Sequence, residues 1–515
     1  MEEKAKVVKH FTKFIYPFYF DSQSTNLENA TVEGRNGQLQ VFTLFSQNSE
    51  QLRSGIEGLM TAAGGSSRAC MCYKLNNAVR SRFSLPRRES EVIKLHMRSD
   101  KDDEGHGVRI TDVNVYLFES EVGFVEAEAE FVTEELEELI DCNYFISELK
   151  SDKNFFTFEN RTKSGKDAPE VIETVTFSLT GLFKSVLQYI GKVREIGNDR
   201  EPSFDNDKAI IFSYVLLNKK PEDTKALLFN LRENYKESYK PPVGVADKHV
   251  LSQFENSFFG ASYNGTVNLS YLVDDETTND FFRENFYAAL HNTYYSLFLN
   301  ALHQRYALMK FIADMGKLDH FEKDYDQIKL QLKLAKAYQA KIANLKFRDF
   351  FLMPSLIEHI NNYFDLLYRT FEIAELEKSL NTDLASLKNI CETYVNRIDE
   401  RDRIMAARKK SKIGILISVF GVVVGIMELI DSYWSVIEKS FGKYVSFVSP
   451  QIILFVCLLM VPIATIIFEV VNEVKDIRKK TKSVRADEEN NLIDEEHMYF
   501  KKKKKKKEKK SESKN

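Results

Sequence analysis

Catalytic signatures are what this 515-residue chain most plainly lacks. It has no G-x-S-x-G elbow, no H-E-x-x-H helix, no G-x-x-x-x-G-K-[ST] loop, no spaced Cys/His zinc set and no dinucleotide glycine fingerprint. Nothing argues for an enzyme, and no catalytic or metal-ligating set is expected. Cysteine is scarce. Cys70, Cys72, Cys142, Cys391 and Cys457 are too scattered for a disulfide framework, and Cys70 and Cys72 stand too close for a usual zinc half-site. They are expected to be inert structural thiols. His106 with Asp102 and Asp103 in KDDEGHG reads as a turn. The opening MEEKAKVVKHF is charged, with no apolar core, and predicts no signal peptide.

Long hydrophobic runs are also few. Mean hydropathy is −0.34, which excludes a transporter with many spans. The net charge of −4 says little as a total, but its distribution is uneven, an acidic body being offset by a lysine-rich end. Aromatics, by contrast, are plentiful at 39 Phe and 23 Tyr, which implies large cores.

Two apolar runs stand out. Residues 413–430 contain a single charge, Glu428. At 1.5 Å per residue they reach roughly 27 Å, just enough for a bilayer core. Residues 452–468 form a second run, in which Pro462 is tolerable in a membrane helix. Arg401, Arg403, Arg408, Lys409, Lys410 and Lys412 precede the first run; Lys475, Arg478, Lys479, Lys480, Lys482 and Arg485 follow the second. The intervening loop holds only Lys439 and Lys443, balanced by Asp431 and Glu438. The positive-inside rule then predicts a two-helix hairpin over 413–470 in the cell membrane, with both termini cytoplasmic. Tyr433 and Trp434 fall where an outer aromatic belt belongs.

Within the first run Gly414, Ser418, Gly421, Gly425, Glu428 and Ser432 recur at steps of three and four, forming one helical stripe. Small residues allow close helix packing. The same stripe in a ring of identical helices would line a pore with a carboxylate at its mouth, favouring cations. Upstream, Ile373, Leu376, Leu380, Leu384, Leu387, Cys391, Tyr394 and Ile398 make a coiled-coil-like seam. No proline or glycine interrupts the chain from Ser355 to Ile413, so one helix is expected from about 356 to 430. Helices are also expected over 280–316 and 321–347, making 276–412 a helical stalk. His303, Gln304 and Arg305 read as a satisfied structural network.

Residues 1–275 read as an α+β domain. Strands are expected at 108–118, 123–131, 209–217 and 265–273, and helices near 132–148, 170–195 and 222–236. In 123–131, Val125, Ala127, Ala129 and Phe131 alternate with three glutamates, which predicts one wet face. The most basic part is 64–98. Gly64, Gly65 and Ser66 offer free amides and a hydroxyl, while Arg68, Arg80, Arg82, Arg87 and Arg88 supply positive charge; together they suit a phosphate-bearing ligand. The tail 471–515 ends in KKKKKKKEKKSESKN, too charged to fold and suited to an anionic inner leaflet. No direct nucleic-acid partner is expected.

The order of parts over roughly 280–480, with YLFESEVGFVEAEAEF and LNALHQRYALMKF, resembles the CorA superfamily of two-span metal-ion channels. The resemblance implies a homopentamer whose first span lines the pore. The family's Gly-Met-Asn signature should close that span, but Gly425-Ile426-Met427-Glu428 stands there. CorA-like proteins without the signature include membrane effectors of type III CRISPR systems. By that resemblance the chain would be opened by a nucleotide messenger, such as an S-adenosylmethionine–AMP conjugate or a cyclic oligoadenylate, and would act in antiviral defence. The alternatives are a divalent-cation transporter with an altered filter and a non-conducting membrane scaffold.

Overall fold

The computed structural model describes residues 4–22, 27–34, 37–45, 70–97, 105–149, 154–162, 171–190, 193–195, 208–242, 248–316, 333–334, 336–343 and 354–441. The chain divides into two compact units, Met1–Glu400 and Arg401–Asn515. Strands in the first unit are β1 Val7–Phe20, β2 Thr31–Gly34, β3 Gly37–Gln40, β4 Phe42–Leu44, β5 Cys70–Leu75, β6 Ile93–His96, β7 His106–Phe118, β8 Val122–Phe131, β9 Phe155–Thr162, β10 Val171–Phe177, β11 Val193–Glu195, β12 Ile210–Leu217, β13 Val250–Phe254, β14 Ser257–Ser262 and β15 Gly265–Tyr271. Helices are α1 Leu136–Ser147, α2 Leu179–Leu187, α3 Thr224–Glu233, α4 Glu276–Asp280, α5 Tyr287–Ala289, α6 Tyr295–Gly316, α7 Glu358–Thr370 and α8 Ile373–Phe441. The fold class is α+β.

The main sheet runs β10-β9-β6-β7-β8-β1-β12-β15-β14-β13, with β11, β4 and β5 paired off that path. Its pairs are antiparallel except β12 with β15. All eight residues of β12 are buried, as its unbroken apolar sequence IIFSYVLL predicts for a strand covered on both faces. Side-chain alternation divides the core in two. Phe11, Ile15, Phe124, Phe212 and Tyr214 meet Leu290, Phe298, Tyr363 and Leu380 of the later helices. Phe14, Phe18, Val125, Ala127 and Ala129 meet Leu139, Phe183 and Leu228 of α1, α2 and α3. The first unit is therefore layered, with the sheet between two groups of helices.

Three expectations are corrected here. Residues 170–195 are not one helix: 171–177 pair with β9 as strand β10 before α2 begins. Val, Ile and Thr there are stiff at Cβ and suit a strand, and Ser178 caps α2 by accepting from the Gly181 amide at 3.1 Å. The single helix from 356 is interrupted between α7 and α8, where Glu372 adopts φ 51°. Arg305 donates to the Phe371 carbonyl, which satisfies a group that a continuing helix would have used, and Phe371 itself is fully buried. The wet face of β8 is not wet at its centre: Glu126 is 0% and Glu128 6% exposed. The helical run from α4 to α6 covers that face, a tertiary fact that strand alternation cannot carry.

Along that run two π-helical turns, Phe281–Phe286 and Leu290–Tyr294, interrupt the α-helical geometry. The seam expected after Ile373 begins as anticipated, with Ile373, Leu380 and Leu384 buried. Of the helix expected over 321–347, residues 333–334 and 336–343 are described and helical.

Candidate functional site

The basic segment splits once it is folded. Gly64, Gly65, Ser66 and Arg68 lie outside the described residues. Arg80, in the 3-10 turn Asn77–Phe83, points inward and is 2% exposed. Its Nε donates to the Pro86 carbonyl at 3.0 Å, Nη1 to Thr111 at 3.1 Å and Nη2 to Ile110 at 2.6 Å. Burial lowers its pKa from the ordinary arginine value, with Glu89 and Asp112 opposing. Its guanidinium thus serves three main-chain oxygens, and the expectation that it faces a ligand is corrected. Arg82, Arg87 and Arg88 are exposed. Arg82 donates to the Glu33 carbonyl.

On α8 the stripe is helical as expected, from Gly414 to Ser432. Ser418 Oγ donates to the Gly414 carbonyl at 2.9 Å. A Cβ placed on Gly414, Gly421 or Gly425 would meet no heavy atom within 4 Å, so among the described residues nothing packs on this stripe within one chain. Neighbouring Ile413, Ile417 and Val424 are 54%, 66% and 40% exposed. The side chains of Glu428 and Ser432, the run 452–468 and the tail lie outside the described residues. Among the described residues, no helix is long and apolar enough to cross a membrane; most side chains of 413–430 lie outside them.

A third cluster escapes sequence reading altogether. It lies under the helical run, on the β1–β7–β8 face that carries Glu126 and Glu128. Lys13 of β1 stands directly opposite Glu128 of β8, with Glu126 its diagonal neighbour. Its ammonium reaches Glu126 Oε1 at 2.8 Å and Glu128 Oε2 at 2.7 Å, and lies 4.4 Å from the Tyr295 ring centre. Asn114, opposite Glu126 on β7, donates to Glu126 Oε1 at 3.2 Å. Tyr116 donates to Glu126 Oε2 at 2.9 Å, and Tyr295 donates to the same oxygen. His291 Nε2 lies 3.2 Å from Glu128 Oε1, and its Nδ1 lies 3.2 Å from the Tyr287 carbonyl. Both of those partners are acceptors, so both contacts are hydrogen bonds only when the ring carries two protons.

Residues 291 and 295 are four apart and share a helical face at the second π turn, a geometry that recurs at functional positions. Burial alone would raise the Glu128 carboxyl, but Lys13 and the His291 hydrogen bond outweigh it and hold its pKa far below the usual range. Burial likewise disfavours the Lys13 ammonium, and the two carboxylates overcome it and raise its pKa. Burial first, then the Glu126 charge, pushes both Tyr116 and Tyr295 well above the ordinary phenol, so both remain donors. With Glu126 fully enclosed, the cluster's chemistry is that of a clamp fastening the helical run to the sheet. The available signal is the sequence VVKHFTKFIY, where Lys9 and Lys13 interrupt an otherwise apolar strand on one face.

His303 Nε2 pairs with Ser120 Oγ at 2.7 Å, and its ring stacks on Phe118 at 3.9 Å. No protein-family model, curated protein or solved structure matches the chain.

Proposed function

We propose that the chain is a signal-gated, homo-oligomeric membrane effector, opened by a nucleotide messenger and acting in type III CRISPR antiviral defence, as its CorA-like features suggest. The observation that carries the reading is α8. This one helix of 69 residues starts at Ile373, buried in the first unit's core, and includes the apolar run 413–430. A ligand that favours one state of the folded unit can bias the apolar segment through the continuous helix only if it binds the two states differently. The Gly414–Gly425 stripe, on which no described residue packs, suits contact with neighbouring copies in a ring. Both termini are cytoplasmic in this reading, and the tail lies against the inner leaflet. Exposed Arg82, Arg87 and Arg88 are the described residues suited to an anionic messenger.

Full-length protein reconstituted into liposomes tests the reading. Ion or dye efflux should begin on adding an S-adenosylmethionine–AMP conjugate or a cyclic oligoadenylate. Arg87→Ala with Arg88→Ala should weaken messenger binding at least about tenfold, the scale of one lost charged hydrogen bond. Efflux of magnesium without any nucleotide would point instead to a divalent-cation transporter. No efflux under any condition would remove the channel reading.

A further inference from the structure

We propose that His106, Glu138 and Cys142 form a binding site for a divalent transition-metal ion of the zinc class. Sequence reading pairs His106 with Asp102 and Asp103 in a turn; in the fold it is the first residue of β7 and faces α1 instead. Glu138 and Cys142 are one turn apart on α1, so their side chains share a face. One donor atom from each residue, a ring nitrogen, a carboxylate oxygen and a sulfur, lies within 4.8 Å of the other two. On a tetrahedral zinc ion such donors lie roughly 3.3–3.8 Å apart, given bonds of about 2.0–2.3 Å. To reach that size the His106 and Glu138 donors, now in hydrogen-bond contact, must part to admit the ion.

The donor chemistry sets the ion class. His106 Nδ1 is hydrogen-bonded to Glu138 Oε1, so an ion entering there replaces a proton already shared by two metal-binding groups. The thiol selects borderline-soft ions and argues against magnesium or calcium, which prefer all-oxygen sites. Cys142 is 0% exposed and forms the floor, whereas the His106 and Glu138 side chains are 27% and 30% exposed and form an open mouth. That leaves a fourth position for water. The Thr133 hydroxyl donates to the other Glu138 oxygen and accepts from the Glu135 amide at 3.0 Å, which orients the carboxylate as an outer-shell partner does. Binding displaces the thiol proton and the proton shared by His106 and Glu138 from the donor atoms, so affinity falls as pH falls.

The test is titration of the full-length chain in detergent with cobalt(II) alone, then with zinc(II) in competition. The expected result is one equivalent of cobalt per chain, with a thiolate-to-cobalt charge-transfer band that zinc abolishes. Zinc should also raise the melting temperature. Cys142→Ala should remove the band while melting as the parent does in EDTA. Glu138→Gln, which leaves the buried thiol in place, should weaken cobalt binding at least tenfold. No band in the parent, a band that persists in Cys142→Ala, or unchanged affinity in Glu138→Gln would each overturn the site.

Discussion

The two faces of β8 differ as sharply as one strand allows. Val125, Ala127 and Ala129 share an apolar core with α1 and α2, while Glu126 and Glu128, one step along, are also buried and are paired with Lys13. The sheet is therefore held on one side by apolar contact, and on the other by an apolar core that also encloses an ionic clamp. Apolar burial tolerates loss in proportion to the volume removed, whereas a buried ionic set fails when one partner leaves and recovers when the others follow. The clamp holds the helical run on the sheet, the same run whose core packs on the start of α8.

The largest expected effect breaks this contrast directly. Lys13→Met should destabilise the chain by about 3–5 kcal/mol, because it leaves two buried carboxylates without their cation. Adding Glu126→Gln and Glu128→Gln should recover most of that loss. Phe14→Ala, the next residue along and on the opposite face, should cost a similar ~3–5 kcal/mol as a cavity, with no recovery from the same two changes. Denaturant midpoints of the four variants and the parent decide it.

Acid comes next. His10 on the apolar face and His303 on the other are buried, and burial pushes their pKa values down to about 4 and about 3. An unfolded histidine titrates near 6.5, so below that pH the unfolded chain binds more protons than the folded one. Stability should therefore fall as pH drops from about 6.5 toward 4 for His10 and toward 3 for His303, by about 3 kcal/mol in all for the first and about 5 kcal/mol for the second. His303→Gln should flatten its share of a pH series of melting temperatures, and a curve unchanged by it would place the acid sensitivity elsewhere. A smaller loss follows Arg80→Met, about 2–3 kcal/mol from three abandoned carbonyls. The smallest is Arg87→Ala, expected within about 0.5 kcal/mol of the parent. A large stability loss in Arg87→Ala would mean that this arginine, too, is structural.

Local pattern made much of the first unit legible in sequence. The apolar run of β12, the alternation of β8 and the stripe from Phe282 to Leu308 each carry a period that fixes element type. What failed depends on partners distant in the chain. Alternation locates the glutamates on one face but cannot tell that Tyr295 and His291 cover them. The absence of proline predicts an uninterrupted helix, but the break at Glu372 rests on Arg305, 66 residues away from the carbonyl it binds. Basic composition groups Arg80 with Arg82, Arg87 and Arg88, but only the fold separates the arginine that serves main-chain oxygens from those facing solvent. His106 and Cys142 could not be paired from spacing, because a strand and a helix bring them together.

The central claim is that the apolar run of α8 enters the cell membrane with the folded unit on the cytoplasmic side. Cysteine labelling of Ser440→Cys in intact cells tests it most directly, using a membrane-impermeant maleimide and the unsubstituted chain as control. The account predicts labelling of residue 440 from outside, with a cysteine placed at Ser511 labelled only after the membrane is opened. Labelling at 511 in intact cells, or a chain that stays in solution after detergent is withdrawn, would contradict it.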